Sequence, residues 1–252
     1  MIDFQPETVA LLLSAALFAG WVDAVAGGGG LIQLPALLLV LPHSATLTAM
    51  GTNKVSSIIG TSVALRTYTR VHRPDWALAR GIMATAFAAA AAGSFVATRI
   101  SVDFLRPLIV VVLASVWIFT VVRRGVADGL MVAHHNKRAL VIAGVVGFYD
   151  GLIGPGTGSF LLFGFVAYVG LSFLGASVAA KLANWATNLA SILVFGATGH
   201  ILLAVALAMG VANALGGWIG ARTALARGSS FVRIVFLGST GVLLLRLAWS
   251  LV

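Results

Sequence analysis

Gly20-Trp-Val-Asp23-Ala-Val-Ala-Gly27-Gly-Gly29 and Gly147-Phe-Tyr-Asp150-Gly-Leu-Ile-Gly154-Pro-Gly156 are one motif written twice, 127 residues apart. The leading glycines, the aspartates and both later glycines coincide. Chance could supply the glycines in a chain that has 29 of them, but it accounts less well for the charged residues. The same offset sets Lys54 on Lys181, although the chain has only seven acids and three lysines. Further on, Gly93 and Arg99 correspond to Gly216 and Arg222 at an offset of 123, which implies a short deletion. Internal self-similarity of this kind divides the chain into two repeats, 1–122 and 139–252, joined by the polar linker 123–138.

The composition around the motif decides the solvent. Of 252 residues, 60% are apolar and 9% charged, with a mean hydropathy of +1.05. A soluble domain carries about 25% charged residues, so this chain cannot cover a water-facing surface and belongs in a bilayer. No polar stretch is long enough for a separate soluble enzyme or nucleic-acid-binding domain. The lack of cysteine excludes disulfides, thiolate metal sites and cysteine nucleophiles. Met1 to Thr8 carries Asp3 and Glu7 but no Lys or Arg, so the first apolar segment is expected to stay in the protein rather than act as a cleaved leader.

Apolar runs give about ten segments: Thr8–Ala26, Leu31–Leu41, Ala45–Leu65, Ala77–Thr98, Phe104–Val122, Ala139–Ile153, Ser159–Val169, Leu174–Phe195, Ile201–Ala221 and Phe231–Leu251. The expected fold is an all-α polytopic membrane protein. Leu31–Leu41 and Ser159–Val169 fall short of the roughly 20 residues of a full span and follow the glycine motifs, so they are expected to be broken or re-entrant helices. Five segments per repeat is an odd number, so the second repeat would enter the membrane from the opposite side and the repeats would be inverted. Arg66, Arg70 and Arg73, then Arg123, Arg124, Lys137 and Arg138, then Arg222 and Arg227 all fall on one side in that topology. The positive-inside rule makes that side cytoplasmic and sets both termini outside.

Sorting charge by position leaves Asp23, Lys54, Asp150 and Lys181 at membrane depth. Each unpaired charge there costs about 2.5 to 3.5 kcal/mol, or roughly 10 to 14 kcal/mol for four. Two readings follow: neutralising pairs that brace the helices, or the lining of a substrate path. Lys54, Ser57 and Thr61 share one helical face, and Lys181, Asn184 and Asn188 repeat the pattern. Such polar residues also serve as interhelical hydrogen-bond partners. Unwinding at Gly28, Gly29 and Gly30, and at Gly156, Thr157 and Gly158, would present free N–H groups and a positive helix end to an anion. No Gly-Lys-Ser/Thr follows either stretch, which argues against a nucleotide loop. His134 and His135 in the linker have no acidic cluster nearby. No metal, no cofactor and no catalytic constellation is expected.

Gly20 through Pro35, the run Gly51-Thr-Asn-Lys54, the stretch from Tyr68 to Asp75-Trp76, and the late Gly-x3-Gly-Ala-Arg222 together resemble the TauE/SafE sulfite exporter family across essentially the whole chain. Val178-Ala-Ala-Lys181 departs from the fuller Gly-Thr-x-Lys pattern in the second repeat. The resemblance implies a bacterial inner-membrane transporter of sulfite, sulfoacetate, other organosulfonates or related anions. Lys54 and Lys181 would supply positive charge, Ser57, Thr61, Asn184 and Asn188 would tune the fit, and Asp23 and Asp150 would pair charge or couple protons. A cation transporter with the aspartates as ligands is the alternative, followed by a membrane enzyme acting on lipid phosphates. The expected partners are a small anion and the lipid bilayer; assembly of several copies stays open, and nucleic acid is not among them.

Overall fold

The computed structural model describes residues 5–101, 103–105, 107–109, 111 and 136–249, with side chains as far as Arg227. Within these residues the chain is helical and has no strand. The helices are α1 (Pro6–Ala26), α2 (Gly30–Val40), α3 (Thr46–Thr69), α4 (Trp76–Ala97), α5 (Asn136–Leu152), α6 (Thr157–Gly164), α7 (Phe173–Ala197) and α8 (Leu203–Trp249). A 3₁₀ turn, His43–Ala45, leads into α3, and a π-helical turn, Phe165–Val169, extends α6. The linker histidines, His134 and His135, and most of the segment expected at Phe104–Val122 lie outside the described residues.

The expected short helices are short here too, 11 residues for α2 and 8 for α6. Each starts directly after a glycine break. Gly27 ends α1 at φ 78°, with its N–H on the Asp23 carbonyl, and Gly156 precedes α6 at φ 83°. L side chains avoid that left-handed region, so glycine is what lets the chain turn there. One expectation needs correction. Ile201–Ala221 and Phe231–Leu251 were separate segments by their apolar runs, but α8 passes through Gly228-Ser-Ser as one helix of 47 residues. At 1.5 Å per residue it is about 70 Å long, and a single glycine costs only about 1 kcal/mol in a helix interior.

Among the described residues, four stretches are long and apolar enough to cross a membrane: Pro6–Ala26, Trp76–Ala97, Phe173–Ala197 and Leu203–Arg227. Outward faces carry Leu17, Phe95, Val141, Val145, Val211 and Leu215, all exposed, as suits contact with hydrocarbon. Helix α3 is 24 residues long but carries Thr, Asn, Lys and Ser, and it buries them: Thr52, Ser56 and Thr61 are at most 1% exposed.

Small residues set the close crossings. A Cβ on Gly20 would stand 2.1 Å from the Asn213 carbonyl oxygen, and one on Gly216 1.9 Å from that of Leu17, so α1 and α8 meet backbone to backbone. Between α4 and α5 the same devices recur, with Gly93 against the Phe148 carbonyl and Gly147 against Ala86. These glycines are counterparts at the offsets of 127 and 123. The correspondence reaches the surface, where Arg99 stacks over Phe95 at 4.8 Å and Arg222 over Trp218 at 4.0 Å. Each glycine-motif helix therefore packs against the fourth helix of the other half of the sequence, and the two halves interlock rather than stand side by side.

Candidate functional site

The ends of α1 and α5 bring the two glycine motifs into contact at the centre. Gly27 and Gly158 touch through bare backbone: a Cβ on Gly27 would lie 2.3 Å from the Gly158 carbonyl carbon. Ser159 fastens the junction, its N–H on the Gly27 carbonyl at 3.1 Å and its hydroxyl on that of Ala26 at 2.6 Å. Tyr68 in α3 donates to the Ala24 carbonyl at 2.9 Å, satisfying another acceptor left open at the end of α1.

The four charges expected at membrane depth, Asp23, Lys54, Asp150 and Lys181, form two ion pairs, and both cross between the motifs. Lys54 Nζ lies 2.8 Å from Asp150 Oδ2 and donates to the Asp150 carbonyl at 2.7 Å. Lys181 Nζ lies 2.9 Å from Asp23 Oδ2 and donates to the Asp23 carbonyl. Each ammonium thus binds a carboxylate and one of the last carbonyls of a helix, where the dipole also favours a cation. The charges cancel, which removes the cost of four isolated ions in hydrocarbon.

Beside these pairs is a cavity of about 20 Å³ lined by Asp23, Lys54, Asp150 and the glycine loops, with α3 and α7 supplying side-chain amides and a hydroxyl. A water needs roughly 10 to 15 Å³, so an oxyanion of four or five heavy atoms requires the walls to part. Of the residues expected from sequence, Ser57, Asn184, Asn188, Gly30, Gly156, Thr157 and Gly158 line it. Thr61, Lys181, Gly28 and Gly29 are not in its wall. Thr61 is 1% exposed with an unpartnered hydroxyl, and Lys181 stands behind the Asp23 carboxylate.

Sequence reasoning missed Gly27, Asn53 and Gly154 in the wall. Asn53 precedes Lys54 in the quoted Gly51-Thr-Asn-Lys54 run, and its Oδ1 is buried without a partner. It is braced from behind: Asn213 in α8 donates to Gln33 Oε1 at 2.7 Å, and Gln33 reaches the Asn53 carbonyl at 3.5 Å. Among the described residues, the N–H groups of Gly28, Gly29, Gly30, Gly156 and Gly158 make no hydrogen bond within the protein. Two helix N-termini with open donors, the Lys54 ammonium and the side-chain amides of Asn53, Asn184 and Asn188 make a site able to bind oxygen atoms of an anion. The described residues hold no cluster of three metal ligands.

The family model "Sulfite exporter TauE/SafE" matches residues 12–247. The chain is 32% identical over 239 residues to a "Probable membrane transporter protein ORF9" of Sinorhizobium, covering 92% of this chain and 89% of that one. It is 30% identical over 231 residues to "Probable membrane transporter protein YfcA" of Escherichia coli K12, covering 91% and 85%. A "Probable membrane transporter protein" of Haemophilus influenzae is 30% identical over 236 residues, covering 92% and 91%. No solved structure matches significantly. With the family match spanning nearly the whole sequence and four helices among the described residues able to cross a bilayer, the chain is a multi-pass membrane protein that belongs to the sulfite exporter TauE/SafE family.

Proposed function

We propose that the protein is a secondary transporter of a small sulfur oxyanion, sulfite or an organosulfonate, across the bacterial inner membrane. The observation that carries this reading is the convergence of two glycine-started helices, whose open N–H groups flank a cavity walled by Lys54. An anion there gains charge-assisted hydrogen bonds from donors that have no other acceptor. The name of the family supports the substrate class, and those of the relatives support transport. Both carboxylates already face an ammonium, which disfavours the cation reading.

Alternating access would come from rocking two inverted repeats, 1–122 and 139–252, about the glycine junction, with the linker cytoplasmic and both termini outside. The cavity supports this by its lopsidedness. On α3 it touches Asn53, Lys54 and Ser57, but on α7 it touches Asn184 and Asn188, whose counterparts are Ser57 and Thr61. It therefore sits about one helical turn off the centre of the repeat. Exchanging the roles of the repeats would move it to Ser57 and Thr61 on α3 and to Lys181 and Asn184 on α7. Because the pairs are neutral, an entering anion leaves excess negative charge, and a co-transported proton would cancel it.

Purified protein in proteoliposomes, offered sulfite, sulfoacetate, thiosulfate and simple cations with and without an imposed pH gradient, tests the reading. Flux of a sulfur oxyanion that accelerates with a parallel proton gradient supports it. Flux of cations alone would overturn it, and oxyanion flux indifferent to the gradient would remove the coupling.

A further inference from the structure

The two ion pairs have the same plan and different surroundings. Asp150 is held on both sides: Oδ2 faces Lys54, and Oδ1 lies 2.6 Å from the Thr157 hydroxyl, whose single proton it shares with the Gly154 carbonyl, also at 2.6 Å. Both side chains of that pair are 3% exposed. Asp23 has Lys181 as its ion-pair partner and no hydroxyl, because Gly30 stands where the repeat has Thr157, each being the first residue of its short helix. Its side chain is 15% exposed and lines the cavity, while Lys181 behind it does not. The residue difference, Gly30 against Thr157, is written in the sequence.

We propose that Asp23 is a charge gate and that Lys54–Asp150–Thr157 is a fixed lock. Resting on the transport reading above, the gate works by exchange. An incoming oxyanion displaces the Asp23 carboxylate from Lys181 and takes the ammonium, while the Asp23 carbonyl keeps Lys181 in place. When the anion leaves, Asp23 re-covers the ammonium. Lys54 keeps its carboxylate throughout, clamped by a charge-assisted hydrogen bond that Asp23 lacks. Asp23 is in this sense a positioning residue, and Gly30 is the position that leaves it free to move.

The chain's three lysines, Lys54, Lys137 and Lys181, make the gate measurable. Acetylation by methyl acetyl phosphate, a small anionic reagent, read by peptide mass spectrometry on the protein in proteoliposomes, uses exposed Lys137 as its internal reference. Lys181 is expected to label at least fivefold faster than Lys54. Asp23→Asn should raise the Lys181 rate a further threefold or more. Gly30→Ser should lower it by a similar factor; the added Cβ meets nothing closer than Pro155 Cα at 3.4 Å. Equal labelling of Lys54 and Lys181, or a Lys181 rate unmoved by both variants, overturns the gate. Sulfite is expected to protect Lys181. The full labelling pattern without protection by sulfite or any sulfonate would keep the gate and refute the substrate class.

Discussion

Helices α3 and α7 correspond in sequence at the offset of 127, each with a lysine followed by polar residues three and seven places on, yet they meet the cavity differently. Helix α3 offers its lysine and the turn around it, and α7 offers the two asparagines beyond its lysine. The difference teaches that repeated sequence does not give two equivalent half-sites. A cavity of 20 Å³ cannot touch residues seven apart on both helices, since that spacing is about 10.5 Å along the axis. One turn of displacement decides which members of each stripe face it.

The largest effect is expected where the two halves touch. Gly27→Ala adds a Cβ 2.3 Å from backbone at a φ of 78°, and no monodisperse protein should survive size-exclusion chromatography. Normal yield would mean the glycine junction is not the point about which the comparison turns. Next comes Lys54→Met, which leaves Asp150 buried without its cation. About 3 to 5 kcal/mol of stability should be lost, visible as a large drop in thermal midpoint that Asp150→Leu in the same chain partly restores. Asn188→Leu removes a wall residue on α7, so sulfite flux should fall about tenfold, the worth of a hydrogen bond of about 1.4 kcal/mol. Thr61→Val, at the corresponding place on α3, deletes a buried hydroxyl that has no partner. Stability should stay within about 0.5 kcal/mol and sulfite affinity should not change, with flux slowed about twofold. A Thr61→Val effect as large as that of Asn188→Leu would erase the distinction between the helices.

Much of this was legible beforehand because charge is scarce. With nine residues in a hundred charged, the Asp and Lys expected at membrane depth stood out, and the glycine runs announced where α2 and α6 begin. Pairing was not legible. A repeat says that Asp23 corresponds to Asp150, but not whether each pairs with the lysine of its own half or of the other. The answer depends on interlocked packing set by contacts such as Gly20 with Asn213 and Gly93 with Phe148. Asn53 was missed because its signal, one amide beside a lysine, gains meaning only with Gln33 and Asn213 behind it, 20 and 160 residues away. Its counterpart is Ala180, and that of Gln33 is Phe160, so this polar brace exists on one side only. Across the molecule the complementary polar contact is Ser94 with Ser191 at 2.9 Å, where the counterparts are Gly217 and Ala64.

In the proposed transport cycle an oxyanion binds beside the Lys54–Asp150 pair and takes Lys181 from Asp23. The most direct test removes one pair whole, so that no charge is left unbalanced: Asp23→Asn with Lys181→Gln, assayed by sulfite counterflow in proteoliposomes. The protein should remain folded, with a thermal midpoint within a few degrees of the wild type, and counterflow should fall to the level of empty vesicles. Counterflow at the wild-type rate from the folded double variant would contradict the claim.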